Sequence, residues 1–218
     1  MQFFKKLMLF LVMTVTVPAS ATALQDLPNT DFPLMVGAKW IYHITLDTGI
    51  GKDTFHREAQ VTESIIGASS YKSVMIYHVE VLNHPVDEFF DYQESRYFLQ
   101  IGGVVYEAWT PQQAHDLIDG KITLQPMLVF PMATGDSWGN LLENQPAEPG
   151  WYSWLVEAVE PVETSTGTFE ACYRLSQRTL PDHQFRWICP GVGMTRYEYG
   201  HHGSLHNEIW MLEDFRLP

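Results

Sequence analysis

The residues with the strongest claim to chemistry stand near the C-terminus, in the run His201-His202-Gly203-Ser204-Leu205-His206-Asn207-Glu208. With Gly203-Ser204 as a two-residue hairpin turn, His201 faces His206 across two strands. Glu208 lies two residues on, sharing that face beside Tyr199. Two imidazoles and a carboxylate form a ligand set for Zn²⁺ or a similar ion. A solvated hairpin tip accounts for the same residues and carries more weight, so no cofactor is expected. The remaining histidines (His43, His56, His78, His84, His115 and His183) are scattered along the chain. The acidic stretch Asp87-Glu88-Phe89-Phe90-Asp91-Tyr92-Gln93-Glu94 lacks the tight spacing and glycine turn of a calcium loop, and reads as a solvated connection. No G-x-S-x-G elbow is present, and Ser204 is adjacent to histidines only in sequence. Gly191-x-Gly193 precedes a strand pattern rather than a helix, which argues against a phosphate loop. No catalytic residue is expected.

The richest aromatic run is Trp151-Tyr152-Ser153-Trp154. Trp151 and Trp154 differ in parity, so in a regular strand they point to opposite faces. One then packs in the core while the other is exposed. An exposed ring stacks on sugars or lines an apolar cavity, which makes the two tryptophans ligand-binding candidates. Core packing is the weightier account.

The elements that must position these groups are nearly all strands. Tyr71 to Leu82 alternates, with Met75, Tyr77, Val79 and Val81 on the face expected to be buried. Thr54 to Ile66 is a looser strand, with a turn expected at Gly67-Ala68-Ser69-Ser70. Arg96–Ile101 and Val104–Trp109 form a hairpin around Gly102-Gly103. Thr110 followed by Pro111 is an N-cap signal, and a short helix to about Ile118, ended by Gly120, is the one helix expected. A turn centred near Leu180-Pro181 places Cys172 opposite Cys189 across a hairpin. In an oxidising compartment these two form a disulfide.

One pattern occurs twice. Phe32-Pro33-Leu34-Met35-Val36-Gly37-Ala38-Lys39-Trp40 returns 98 residues later as Phe130-Pro131-Met132-Ala133-Thr134-Gly135-Asp136-Ser137-Trp138. Proline holds the preceding Phe extended, glycine permits a positive-φ turn, and Trp opens a strand as a large apolar anchor. Phe32, Pro33, Gly37 and Trp40 are thus expected to be structural anchors equivalent to Phe130, Pro131, Gly135 and Trp138. Each copy is followed by about five or six antiparallel strands. The expected organisation is a first β repeat over 32–129 and a second over 130–218, together one domain. The expected fold is all-β: a long, curled antiparallel sheet or half-open barrel, with a two-sheet β-sandwich as the alternative.

The second anchor, Gly167-Thr168-Phe169-x-x-Cys172, Pro190-Gly191-Val192-Gly193 and the aromatic strand that follows together resemble a group of uncharacterised bacterial exported β-sheet proteins. That group is similar to the lipoprotein-carrier (Lol-like) half-barrel folds. The resemblance implies an envelope protein that holds an apolar ligand or a protein partner in the concave face of its sheet.

The N-terminus agrees with export. Lys5 and Lys6 precede an apolar run from Leu7 to Val17, too short to span a membrane, then Pro18 and A-x-A cleavage sites ending at Ala21 and Ala23. Residues 1–23 read as a signal peptide and 24–31 as an entry segment. The mature chain is expected in the periplasm or outside the cell, with no transmembrane segment. Loss of Lys5 and Lys6 with no acid moves the formal charge from −13 to −15, which argues against a nucleic-acid partner. The leading expectation is a non-enzymatic envelope protein with an apolar small molecule or an envelope protein as partner. A carbohydrate-binding or surface-interaction module, using Trp151 and Trp154, and a metal-dependent enzyme, using the histidine cluster, are the alternatives.

Overall fold

A computed structural model describes residues 31–50, 53–84, 94–142, 148–203 and 205–218. The expected signal peptide, nearly all of the entry segment, Asp87 to Gln93 of the acidic stretch, and Ser204 lie outside them. The strands are β1 (Lys39–Ile50), β2 (Asp53–Tyr71), β3 (Val74–Leu82), β4 (Ser95–Ile101), β5 (Val104–Ala108), β6 (Pro126–Val129), β7 (Ser137–Trp138), β8 (Trp154–Thr164), β9 (Gly167–Arg178), β10 (Asp182–Cys189), β11 (Gly193–His201) and β12 (Leu205–Arg216). They form one twelve-stranded antiparallel sheet in the order β6-β5-β4-β3-β2-β1-β12-β11-β10-β9-β8-β7. The sheet is therefore two six-strand meanders joined at its centre, where β1 pairs with β12 from Lys39↔Arg216 to Gly49↔Leu205. A two-sheet sandwich is not what forms.

The edges of this sheet, β6 and β7, are consecutive in sequence. Only residues 130–136 join them, and seven residues span at most about 25 Å. So short a link obliges the sheet to curl until its edges approach, giving a nearly closed barrel. The link is tied to both sides. Phe130 N–H donates to Gly103 O beyond β4, and Gly135 N–H donates to Val156 O on β8, at 2.7 and 2.9 Å.

Strand periodicity decides which side chains enter the curl. Along β1, Trp40, Tyr42, Ile44 and Leu46 are buried while the residues between them are partly exposed. Val61, Glu63 and Ile65 of β2 point the same way. The main core contains residues from both meanders, among them Val79, Val81, Phe98 and Leu128 from the first and Val156, Leu175, Ile188 and Leu212 from the second. On β3, Val79 and Val81 are buried as expected, but Met75 is exposed and Ile76 is buried instead. The helix α1 (Pro111–Ile118) is the reason. It packs its Ala114 over Ile76, Leu99 and Ala108, forming a second, smaller core. The Thr110 side chain caps the helix by accepting from Gln113 N at 3.1 Å.

One turn differs from expectation. Residues Gly67 to Ser70 stay inside β2, which bulges between Ile65 and Gly67, and the chain reverses at Lys72-Ser73. Both residues have positive φ, 46° and 69°. This is the backbone of a tight hairpin turn, formed without the Asn or Gly that normally announces it. The β9–β10 hairpin follows expectation. His183 pairs with Arg178 and Ile188 with Tyr173, so the next positions, Cys189 and Cys172, are opposed and joined as a disulfide. A bond closing a loop of this size typically contributes about 2–4 kcal/mol.

Candidate functional site: a cavity inside the curled sheet

A cavity of about 320 Å³ lies inside the curl. Strands from both meanders build its wall. Trp40, Tyr42 and Leu46 come from β1, and Trp210 from β12. Phe98 comes from β4, Met127 and Leu128 from β6, Ile188 from β10, and Met194 and Tyr197 from β11. Phe32 of the first anchor closes one side, with its ring 6.0 Å from that of Phe98. Trp210 sits among three rings, with centroids 5.5 Å from Tyr42, 5.4 Å from His84 and 6.1 Å from Tyr197. The Pro190–Gly193 turn braces this wall. Val192 O accepts from Trp40 Nε1 at 2.6 Å, and Met194 O accepts from the Tyr42 hydroxyl at 3.0 Å. Gly193 has φ +101° and lies so close that a Cβ there would meet the Trp40 indole at 3.4 Å, which explains the glycine.

Set into this apolar wall is a small group of charges. Glu63 is buried, with 5% of its surface exposed. Arg96 donates through Nη2 to Glu63 Oε1 and through Nη1 to Glu107 Oε1, the latter at 3.1 Å. Burial pushes the Glu63 carboxyl above its ordinary range and the Glu107 charge adds to this, while Arg96 opposes both. Glu208 accepts from Trp210 Nε1 at 2.6 Å and meets His84 Nε2 at 3.2 Å. Arg186 lies over the Trp154 ring at 4.6 Å and near the Tyr197 ring at 5.8 Å. Burial drives the Tyr197 hydroxyl well above its usual pKa, so this phenol stays neutral. The described lining residues include no Ser, Thr, Cys or Lys. What it offers is an apolar enclosure with fixed charges at defined points.

The sequence-selected residues are distributed as follows. His201 and His206 pair across the β11–β12 hairpin, and Glu208 lies opposite Tyr199, the register expected. Their side chains nevertheless go to separate partners. His206 is buried in the cavity wall, 5.3 Å from the Tyr199 ring, and Glu208 is engaged by Trp210 and His84. His201 Nε2 lies 3.9 Å from Asp182 Oδ1. Among the described residues no group of three or more His, Cys, Asp or Glu is placed to hold a metal ion. Trp154 is buried and Trp151 is 39% exposed, so the aromatic run does not present two rings together.

The residues that sequence reasoning passed over are Glu63, Arg96, Glu107 and Arg186. The available signal was parity. Glu63 alternates in step with Val61 and Ile65, and Arg186 shares a face with Ile188. A charge at a core-facing position of a strand is unusual, because burial of a lone charge is costly.

No protein-family model matches the chain, and no curated protein does. Three solved structures are similar in overall path. One is a protein designated exported, with a YmcC-like fold, from Bacteroides fragilis. It shares 15% identity over 85% of this chain and 98% of its own, with a TM-score of 0.48. Another, designated a lipoprotein, is from Parabacteroides distasonis, at 11% identity over 85% and 98% with a TM-score of 0.47. The third is a LolA superfamily protein from Nitrosomonas europaea, at 10% identity over 88% and 90% with a TM-score of 0.32. At these scores none of the three says what this cavity holds.

Proposed function

We propose that this chain is a non-enzymatic exported envelope protein that carries an apolar ligand inside its curled sheet. The observation that supports this most is the cavity itself: about 320 Å³, walled by Trp40, Tyr42, Phe98, Leu128 and Trp210. A concave site lined mainly by aromatic and aliphatic side chains with a few fixed polar groups is the form of a small-molecule site, and it offers an apolar ligand extensive contact. The N-terminal leader expected from residues 1–23 supplies the route of export.

Native mass spectrometry of protein purified from its own host tests the reading. A non-covalent adduct of lipid mass, released by organic extraction, is expected. The extracted protein should then take up N-phenylnaphthylamine, with the dye's fluorescence rising as it enters an apolar site. A protein that carries only its own mass and leaves the dye in water sinks the proposal.

A further inference from the structure

The two meanders place an arginine at the same point of their plan. Arg96 is on β4, the fourth strand of the first, and Arg186 is on β10, the fourth strand of the second. Both line the cavity. Their surroundings differ in one respect. Arg96 is met by an acid from the second strand of its meander, Glu63, and by one from the fifth, Glu107. Arg186 is met from the corresponding strands by Trp154 of β8 and Tyr197 of β11. Where the first arginine has two carboxylates and the Phe98 ring, the second has two aromatic rings and no carboxylate in contact. Among the described residues Arg186 makes no ion pair; its buried Nε, like that of Arg96, makes no hydrogen bond.

We propose that Arg186 is the anchor for an anionic head group, a carboxylate or a phosphate monoester, borne by an apolar tail that fills the cavity. This rests on the apolar-ligand reading above and adds the charge and the contact point of the ligand. Rings lying against the face of a guanidinium hold it in place and leave its in-plane N–H donors available. Those donors form a fork that matches the paired oxygens of a carboxylate or phosphate. Glu63 is near enough to feel the Arg186 charge, but the neighbouring acids make their direct contacts elsewhere. Arg96 spans Glu63 and Glu107, and Glu208 is held by Trp210 and His84. Arg186 is partly buried, and although the Glu63 carboxyl feels its charge, among the described residues no carboxylate is within ion-pair distance of it, so a ligand anion supplies the direct partner.

The test uses ten-carbon probes that differ only at the head: decanoate, decyl phosphate, decanol and decyltrimethylammonium, titrated at neutral pH with tryptophan fluorescence as the readout. Wild-type protein should bind at least one of the two anions on the order of tenfold more tightly than decanol, the scale of a charge-assisted hydrogen bond. The cation should bind more weakly than decanol. Which anion is preferred distinguishes a fatty acid from a phosphate-bearing lipid as the source. Arg186→Met should bring the anions down to the affinity of decanol while decanol binding persists, and Arg186→Lys should keep part of the preference. If decanol matches both anions in the wild type, or the cation binds best, the head-group assignment is overturned while apolar binding stands. An anion preference that survives Arg186→Met overturns it as well. If no probe binds, both readings fall. The wild-type series decides the matter even where the Met variant fails to fold.

Discussion

The segments Phe32–Trp40 and Phe130–Trp138 make the same turn and then meet different fates. In the first, Gly37 N–H donates to Ile65 O, Ala38 N–H to Met35 O, and Ile65 N–H to Ala38 O, at 2.8, 3.0 and 2.9 Å. In the second, Gly135 N–H donates to Val156 O, Asp136 N–H to Ala133 O, and Val156 N–H to Asp136 O, at 2.9, 3.0 and 2.9 Å. The glycines have φ of +96° and +95°. The likeness is confined to the turn, since the Phe130–Pro131 peptide is cis and the Phe32–Pro33 peptide is not. Trp40 is the second residue of a twelve-residue strand at the centre of the sheet, is 5% exposed, and has its indole N–H satisfied by Val192. Trp138 ends a two-residue strand at the edge, is half-buried, and its Nε1 makes no hydrogen bond among the described residues. Opposite Trp40 stands Glu63, and opposite Trp138 stands Trp154. A local motif reproduces local hydrogen bonds, but its energetic weight depends on which strands receive it.

The sharpest way to break this comparison is to remove both anchors. Trp40→Ala should cost about 3–5 kcal/mol, the range for deleting a large buried aromatic. Trp138→Ala, half-exposed already, should cost about 1–2 kcal/mol by the area it removes from water. Urea unfolding with an unchanged slope measures both. Equal losses would mean that the edge anchor is as important as the central one. The glycines sharpen the other side of the comparison. A Cβ on Gly135 meets nothing within 4 Å and on Gly37 only Pro218 at 3.7 Å, so the cost there is backbone strain alone. Gly37→Ala and Gly135→Ala should each lose about 1–2 kcal/mol, and by matching amounts. A difference well outside error would show that the turns are not equivalent in energy.

The smallest effect concerns the residue opposite Trp40. Glu63 has a folded pKa above its unfolded value, chiefly through burial. The folded state therefore holds the proton more tightly. Its contribution to stability is fully present below the unfolded pKa and is lost as pH rises through the folded one. Glu63→Gln keeps an acceptor for Arg96 without the titration. The wild type should lose stability relative to this variant as pH climbs from the ordinary carboxylate range toward neutrality, and the two curves should run parallel in acid. A gap that widens toward acid instead would reverse the assigned direction.

Much of the architecture was legible along the chain, because strand formation and tight turns are local. The alternation of Trp40, Tyr42, Ile44 and Leu46, the Thr110-Pro111 cap, the Gly102-Gly103 hairpin and the facing Cys172 and Cys189 all follow from periods of two and short-range turn chemistry. The Lys72-Ser73 reversal was hidden because its residue types do not announce positive φ. The burial of Ile76 was hidden because a helix from 35 or more residues later covers it. The site was less legible than the fold. The histidine hairpin drew attention because its members are close in sequence, whereas Glu63, Arg96, Glu107 and Arg186 are spread over more than half of the chain.

The sequence alone determined that this protein is built of paired strands and where most of them turn, since these depend on neighbouring residues. The tertiary structure decided the rest: that β1 and β12 meet at the centre, that a seven-residue link curls the edges together, and that two arginines enter one cavity in unlike company. Those outcomes arise from contacts between residues far apart in the chain. Only the assembled sheet decides whether a charge such as Arg186 has a carboxylate beside it or a ring.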